Sequence, residues 1–177
     1  MFLQKWDAPL NSGLFAQNIA SGAAGNITVN GSGTTALFLS QGAQISASTV
    51  SGVSDGITLN RLRTLQVSNS SITASTETGR AGNLTVNQNG NAADSILLSN
   101  NSFLSLEAKT PGGIGAAGDI FLNTRQLTVQ GNSSISASTA GSGEAGNLTV
   151  GANGGTADAI TLLGGSSLVV FQLLDEG

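Results

Sequence analysis

The sequence predicts an all-β chain wound as a right-handed parallel β-helix, a solenoid of about five coils with three short strands in each. Three observations predict it. Apolar residues fall in short alternating runs such as Ile27-Thr28-Val29, Leu84-Thr85-Val86 and Leu127-Thr128-Val129, the period of a strand with one buried face. Three such runs recur in the same order along the chain. Differences in repeat length are confined to the polar segments between runs, which a stacked repeat tolerates. No stretch carries a 3.6-residue apolar period.

The first run of each unit follows an Ala-Gly-Asn/Asp signature: Ala24-Gly25-Asn26, Ala81-Gly82-Asn83, Ala117-Gly118-Asp119 and Ala145-Gly146-Asn147, with Asp55-Gly56 as a degenerate copy. Stacking the units places Ile27, Ile57, Leu84, Ile120 and Leu148 in one interior column. The second run supplies Leu39, Val67, Leu98, Val129 and Leu162. The third supplies Ala47, Ala74, Leu106, Ala137 and Val170, and a partial sixth copy opens the chain at Leu14-Phe15-Ala16. The glycine of each signature suits a sharp turn at positive φ, and the stacked Asn side chains suit amide hydrogen bonds along the axis. From first run to second the spacing is 10, 8, 12, 7 and 12 residues (Ile27 to Leu37, Ile57 to Leu65, Leu84 to Ile96, Ile120 to Leu127, Leu148 to Ile160). Long and short connections alternate, so the underlying period reads as a pair of units.

Composition narrows the function classes. Only 9% of residues are charged, and Gly, Ser, Thr and Asn make up nearly half the chain. The 39% hydrophobic content and ordered runs argue against disorder. With no Cys there is no disulfide or thiolate metal site, and with no His the commonest general base and metal ligand are missing. A net charge of −4 speaks against a nucleic-acid footprint.

The motifs Ala-Gly-Asn-Leu-Thr-Val and Ser-Ser-Ile-Ser-Ala-Ser-Thr, with the opening Ser12-Gly13-Leu14-Phe15-Ala16-Gln17, resemble the repeat region of filamentous-haemagglutinin-like proteins, especially the large cyanobacterial ones. The resemblance covers about residues 12 to 170. It implies a right-handed parallel β-helix and a secreted or outer-cell-surface adhesin, exported through an outer-membrane two-partner transporter. Glycans or cell surfaces would be its weak, multivalent partners. The family's signal peptide and secretion domain have no counterpart in these residues.

Residues 1–11 match no repeat and read as an end cover or stray sequence, whereas 12–177 read as one β-helix domain, a fragment of a longer array. Leu168-Val169-Val170-Phe171-Gln172-Leu173-Leu174 is too short to span a membrane and opens as a third run, with an edge inviting end-to-end self-association.

Three further chemistries are open to a solenoid of this composition. A carbohydrate-processing β-helix needs clustered carboxylates. Asp94 and Asp158 stand two coils apart, each two residues before a second run, and Glu77 and Glu144 precede separate turns, so all four read as solvated turn acids. Arg61, Arg63 and Arg125 read as solvated too, with a small positive patch as the alternative. The turns Asn89–Asp94 and Asn153–Asp158 offer one carboxylate each, too few for tight calcium binding. A row of outward Thr28, Thr58, Thr85 and Thr149 raises ice binding, but Phe121 interrupts it. The expectation is a passive, non-enzymatic rod with no catalytic, cofactor-binding or metal residue.

Overall fold

Alternating side chains need a second layer to bury them, and here each coil supplies it for the next. The computed structural model describes residues 12–111 and 113–172, among which there are strands and no helix. The strands are β1 (Gly13–Ser21), β2 (Ile27–Leu39), β3 (Gln44–Ser51), β4 (Ile57–Ser68), β5 (Ser71–Thr73), β6 (Leu84–Val86) and β7 (Ala93–Ser99). They continue as β8 (Phe103–Ser105), β9 (Ile120–Val129), β10 (Ser134–Ser136), β11 (Leu148–Ala152), β12 (Gly155–Thr156), β13 (Ala159–Leu162) and β14 (Ser167–Val169). The third runs form a parallel sheet in the order β1-β3-β5-β8-β10-β14. First and second runs form another, in which β6 and β7 both pair with β4 and β9. The short β11–β12 hairpin is antiparallel. The chain is thus a parallel β-solenoid of about five turns.

The expected columns form in register. Ile27 pairs with Ile57, Ile57 with Leu84, Leu84 with Ile120 and Ile120 with Leu148. Leu39, Val67, Leu98, Val129 and Leu162 align likewise. In the third-run sheet Leu14, Ile45, Ile72, Leu104, Ile135 and Leu168 align, so the opening partial copy belongs to the stack. The middle coils are dry: Ile57, Leu84, Leu98, Leu106 and Ile120 are each at most 1% exposed. Burial relaxes at both ends, where Phe15, Leu162 and Val170 are exposed. No helix among the described residues is long and apolar enough to cross a membrane.

Two features differ from the sequence expectation. First, the first and second runs are not always separate strands: in β2, β4 and β9 they are one continuous strand that bends at the corner. The connections in the second and fourth coils are short enough to turn within one strand, β4 or β9. In the first coil Gly31–Thr34 is absorbed as a register shift between Asn30 and Ala36. Only the third and fifth coils break there, at Asn87–Asn91 and at the β11–β12 hairpin.

Second, Gly25, Gly82, Gly118 and Gly146 do not have positive φ, although Gly56 does. A Cβ at Gly25 would meet open space, whereas Gly82, Gly118 and Gly146 are required by close approach of successive coils. A Cβ on Gly82 would lie 2.5 Å from the Gly56 nitrogen, and one on Gly118 would lie 2.6 Å from the Gly82 carbonyl carbon. Left-handed backbone recurs from coil to coil at the corner before the third run, at Gly42, Asn69, Asn101, Asn132 and Gly165. Serines follow at that corner, and Ser102 and Ser133 are each 1% exposed. Their hydroxyls accept from the N–H of the preceding coil's serine, Ser70 to Ser102 at 3.3 Å and Ser102 to Ser133 at 3.1 Å. This ladder has no apolar periodicity to announce it.

The signature Asn/Asp ladder forms from Asn83 to Asn147, with backbone N–H donors beside the expected side-chain amide. Asn83 Oδ1 accepts from the Asp119 backbone N–H (2.9 Å), and Asp119 Oδ1 accepts from both the Asn147 backbone N–H (2.8 Å) and its Nδ2 (3.0 Å).

The expected end cover over residues 1–11 and the final residues 173–177 lie outside the described residues.

Candidate functional site

The corner between first and second runs gathers three of the chain's four arginines and two of its aspartates. Thr64 pairs with Ser95, Ser95 with Gln126 and Gln126 with Ala159, so the residues just before them, Arg63, Asp94, Arg125 and Asp158, occupy one column over four successive coils. Charge alternates in sign along that column. Arg63 Nε donates to Asp94 Oδ2 at 2.9 Å, and Arg125 Nε donates to Asp158 Oδ2 at 2.9 Å. All four side chains remain more than half exposed. The hydrogen bond to Asp158, and then that carboxylate's charge, hold the Arg125 guanidinium above its ordinary range; burial opposes this slightly and Asp94 adds to it.

The four side chains are solvated, as expected, but they are also paired, which removes Arg63 and Arg125 from the alternative of a positive patch. Asp94 and Asp158 do lie two coils apart, flanking β9, but each carboxylate is committed to an arginine of the preceding coil. Arg63 and Arg125 are thereby neutralised, and Arg61 carries the remaining positive charge at the corner. Glu77 and Glu144 are not brought together: Glu77 follows Thr76, in the ladder with Ala108, whereas Glu144 sits opposite Ala117 at the signature turn. The pairing was readable in principle, since Arg63, Asp94, Arg125 and Asp158 all stand two residues before a second run.

Arg61 departs from the repeat. Three residues separate Asn60 from Thr64, whereas two separate Asn123 from Gln126. Leu62 turns inward, 2% exposed, where the fourth coil has the buried Thr124. Arg61 is the extra residue, solvent-exposed, with φ 55. Among the described residues no carboxylate lies within ion-pair distance of it.

The long turns of the first and third coils rise on either side of Arg61 and flank an open cavity of about 750 Å³. Ser32 and Thr34 form one bank, Asn89 and Asn91 the other, and Arg61 and Arg63 lie between them. The banks are held from below. Asn87, 1% exposed, accepts at Oδ1 from the Leu62 N–H (2.9 Å) and donates through Nδ2 to the Leu62 carbonyl (2.6 Å). Ser32 N–H donates to Thr34's neighbour Thr35 at Oγ1 (2.9 Å), which closes the first turn on itself. Two coils further on, the corresponding space is bridged: Asn153 Oδ1 accepts from the Ala92 N–H at 2.8 Å, and the Asn153 N–H donates to Asn123 Oδ1 at 2.9 Å.

The outward rows are the second candidate surface. Thr28, Thr58, Thr85, Phe121 and Thr149 are in register across five coils. Phe121 stands in the row as expected, beside a shallow hollow of about 340 Å³ that Asn83, Gln88, Asp119 and Asn147 help to line. Comparison of the chain with protein-family models, curated proteins and solved structures finds no match.

Proposed function

We propose that this chain is a rod segment of a filamentous-haemagglutinin-like adhesin of cyanobacterial type, secreted or held at the outer cell surface. In this reading the full protein leaves the cell through a two-partner outer-membrane transporter. Its outward Ser, Thr and Asn rows make weak, repeated contacts with glycans or cell surfaces. The observation that carries the reading is the in-register recurrence of the same polar groups coil after coil, as in Thr28, Thr58 and Thr85. One such group binds feebly. Many, held rigidly at one spacing, gain by effective concentration, and avidity exceeds single-site affinity by about 10²–10⁴. Sequence resemblance supplies the cellular setting.

The test compares the chain free in solution with the chain displayed densely on beads, against a glycan array and against bacterial and host cells. Retention by the displayed chain alone, with no measurable binding by the free chain to neutral glycans, is the expected outcome. Tight binding of a neutral glycan by the free chain, or no retention in either form, would overturn the reading.

A further inference from the structure

Resting on that surface-contact reading, we propose that the cavity between the first and third coil turns is a binding site for a carboxylated saccharide. Four observations converge on it. Arg61 is an insertion that the fourth coil lacks, so the repeat itself does not demand it. It is held at φ 55, a conformation otherwise taken among the described non-glycine residues by asparagines and Gln41. Its guanidinium is the uncompensated charge of the cavity, because Arg63 is already bonded to Asp94. The banks offer hydroxyls from Ser32 and Thr34 and amides from Asn89 and Asn91, groups that exchange hydrogen bonds with sugar hydroxyls.

The charge balance selects the ligand. A planar guanidinium fork matches one planar carboxylate. Asp94 stays on the cavity wall and disfavours a second negative charge, such as a phosphate monoester would bring. The volume, about 750 Å³, lies within the range of small-ligand sites. The equivalent space beyond the third coil is closed by Asn153, so the full chain offers one such site among the described residues.

The experiment is a titration of the full chain with an oligogalacturonate, its methyl ester, and sulfated and phosphorylated oligosaccharides of the same length. The acid should bind, more weakly as salt rises. The ester and the Arg61→Asn variant should each lose about tenfold or more in affinity, the worth of a charged hydrogen bond. Asn suits the left-handed backbone, so Arg61→Asn should keep the wild-type melting temperature, and Arg125→Gln should bind as wild type. Equal binding of acid and ester, equal or better binding of the sulfated or phosphorylated sugar, or wild-type affinity in Arg61→Asn would overturn the site. If bead-displayed chain retains neutral glycans while the acid titration is silent, the site fails and the adhesin reading stands. Acid binding through Arg61 without any retention by displayed chain gives the reverse.

Discussion

Asn87 shows how a polar residue can belong to the core of a thin solenoid. It is 1% exposed, yet its side chain satisfies both the N–H and the carbonyl of Leu62 in the neighbouring coil, and its Nδ2 also reaches the Asn91 carbonyl at 3.1 Å. Leu62 needs those partners because its corner leaves the regular ladder. The next coil repeats the device, with Asn123 Nδ2 donating to the Asn87 carbonyl at 2.8 Å. A buried amide that loses its partner costs about 1–3 kcal/mol. Asn87→Ala strands two groups of Leu62 at once and should lower the unfolding free energy by at least that amount in a denaturant titration. Asn89→Ala, two residues along in the exposed part of the same turn, should stay within about 0.5 kcal/mol of wild type. Equal losses in the two variants would mean that the turn is held by its backbone, not by this amide.

At the scale of strands and turns, the sequence discloses what has a period. Columns such as Ile27, Ile57 and Leu84 were legible because period-two alternation fixes which side chains turn inward and recurrence fixes which ones meet. The joining of first and second runs into β2, β4 and β9 was not legible, because nothing local tells a bend inside a strand from a turn between two strands. The burial of Asn87 and Ser102 was not legible for a related reason: Asn and Ser read as surface turn residues until the neighbouring coil is laid on top of them. The Arg63–Asp94 pair needed the register between coils of unequal length, which the sequence suggests and the stacked strands determine. That column also carries a prediction. Exposed ion pairs contribute little singly, but an alternating column penalises a misplaced charge. Asp94→Lys would place three cations in succession, Arg63, Lys at 94 and Arg125. Its melting temperature should fall clearly below that of Asp94→Asn at about 0.01 M salt and approach it at about 1 M, where the screening length shrinks from about 30 Å to about 3 Å. A gap between the two variants that ignores salt would show that the loss is one of packing.

For the whole molecule, each coil is both the cover of one neighbour and the cargo of the next, so stability is shared along an axis of about five coil spacings, about 25 Å. The two ends of the described stack carry the same columns in the same sheet. Leu14 of β1 and Leu168 of β14 are the first and last members of one in-register row. Leu14 and Phe15 are about half exposed at one end, as are Leu163, Val170 and Phe171 at the other. Among the described residues each outer strand pairs on one side, leaving backbone donors and acceptors available on the other. Because the row runs in one direction, a second copy can add head to tail with β14 beside β1, a heterologous contact that does not close on itself. The chain should therefore show a mass that rises with concentration in sedimentation or light scattering, passing through dimers into longer species. Replacing Val169 by Lys puts a charge on the outer strand and should hold the mass at that of a monomer, with the circular dichroism of the wild type. A wild-type mass that stays monomeric at the highest attainable concentration, or a Val169→Lys variant that assembles as before, would show that the end coils are covered by some other means than a copy of this chain.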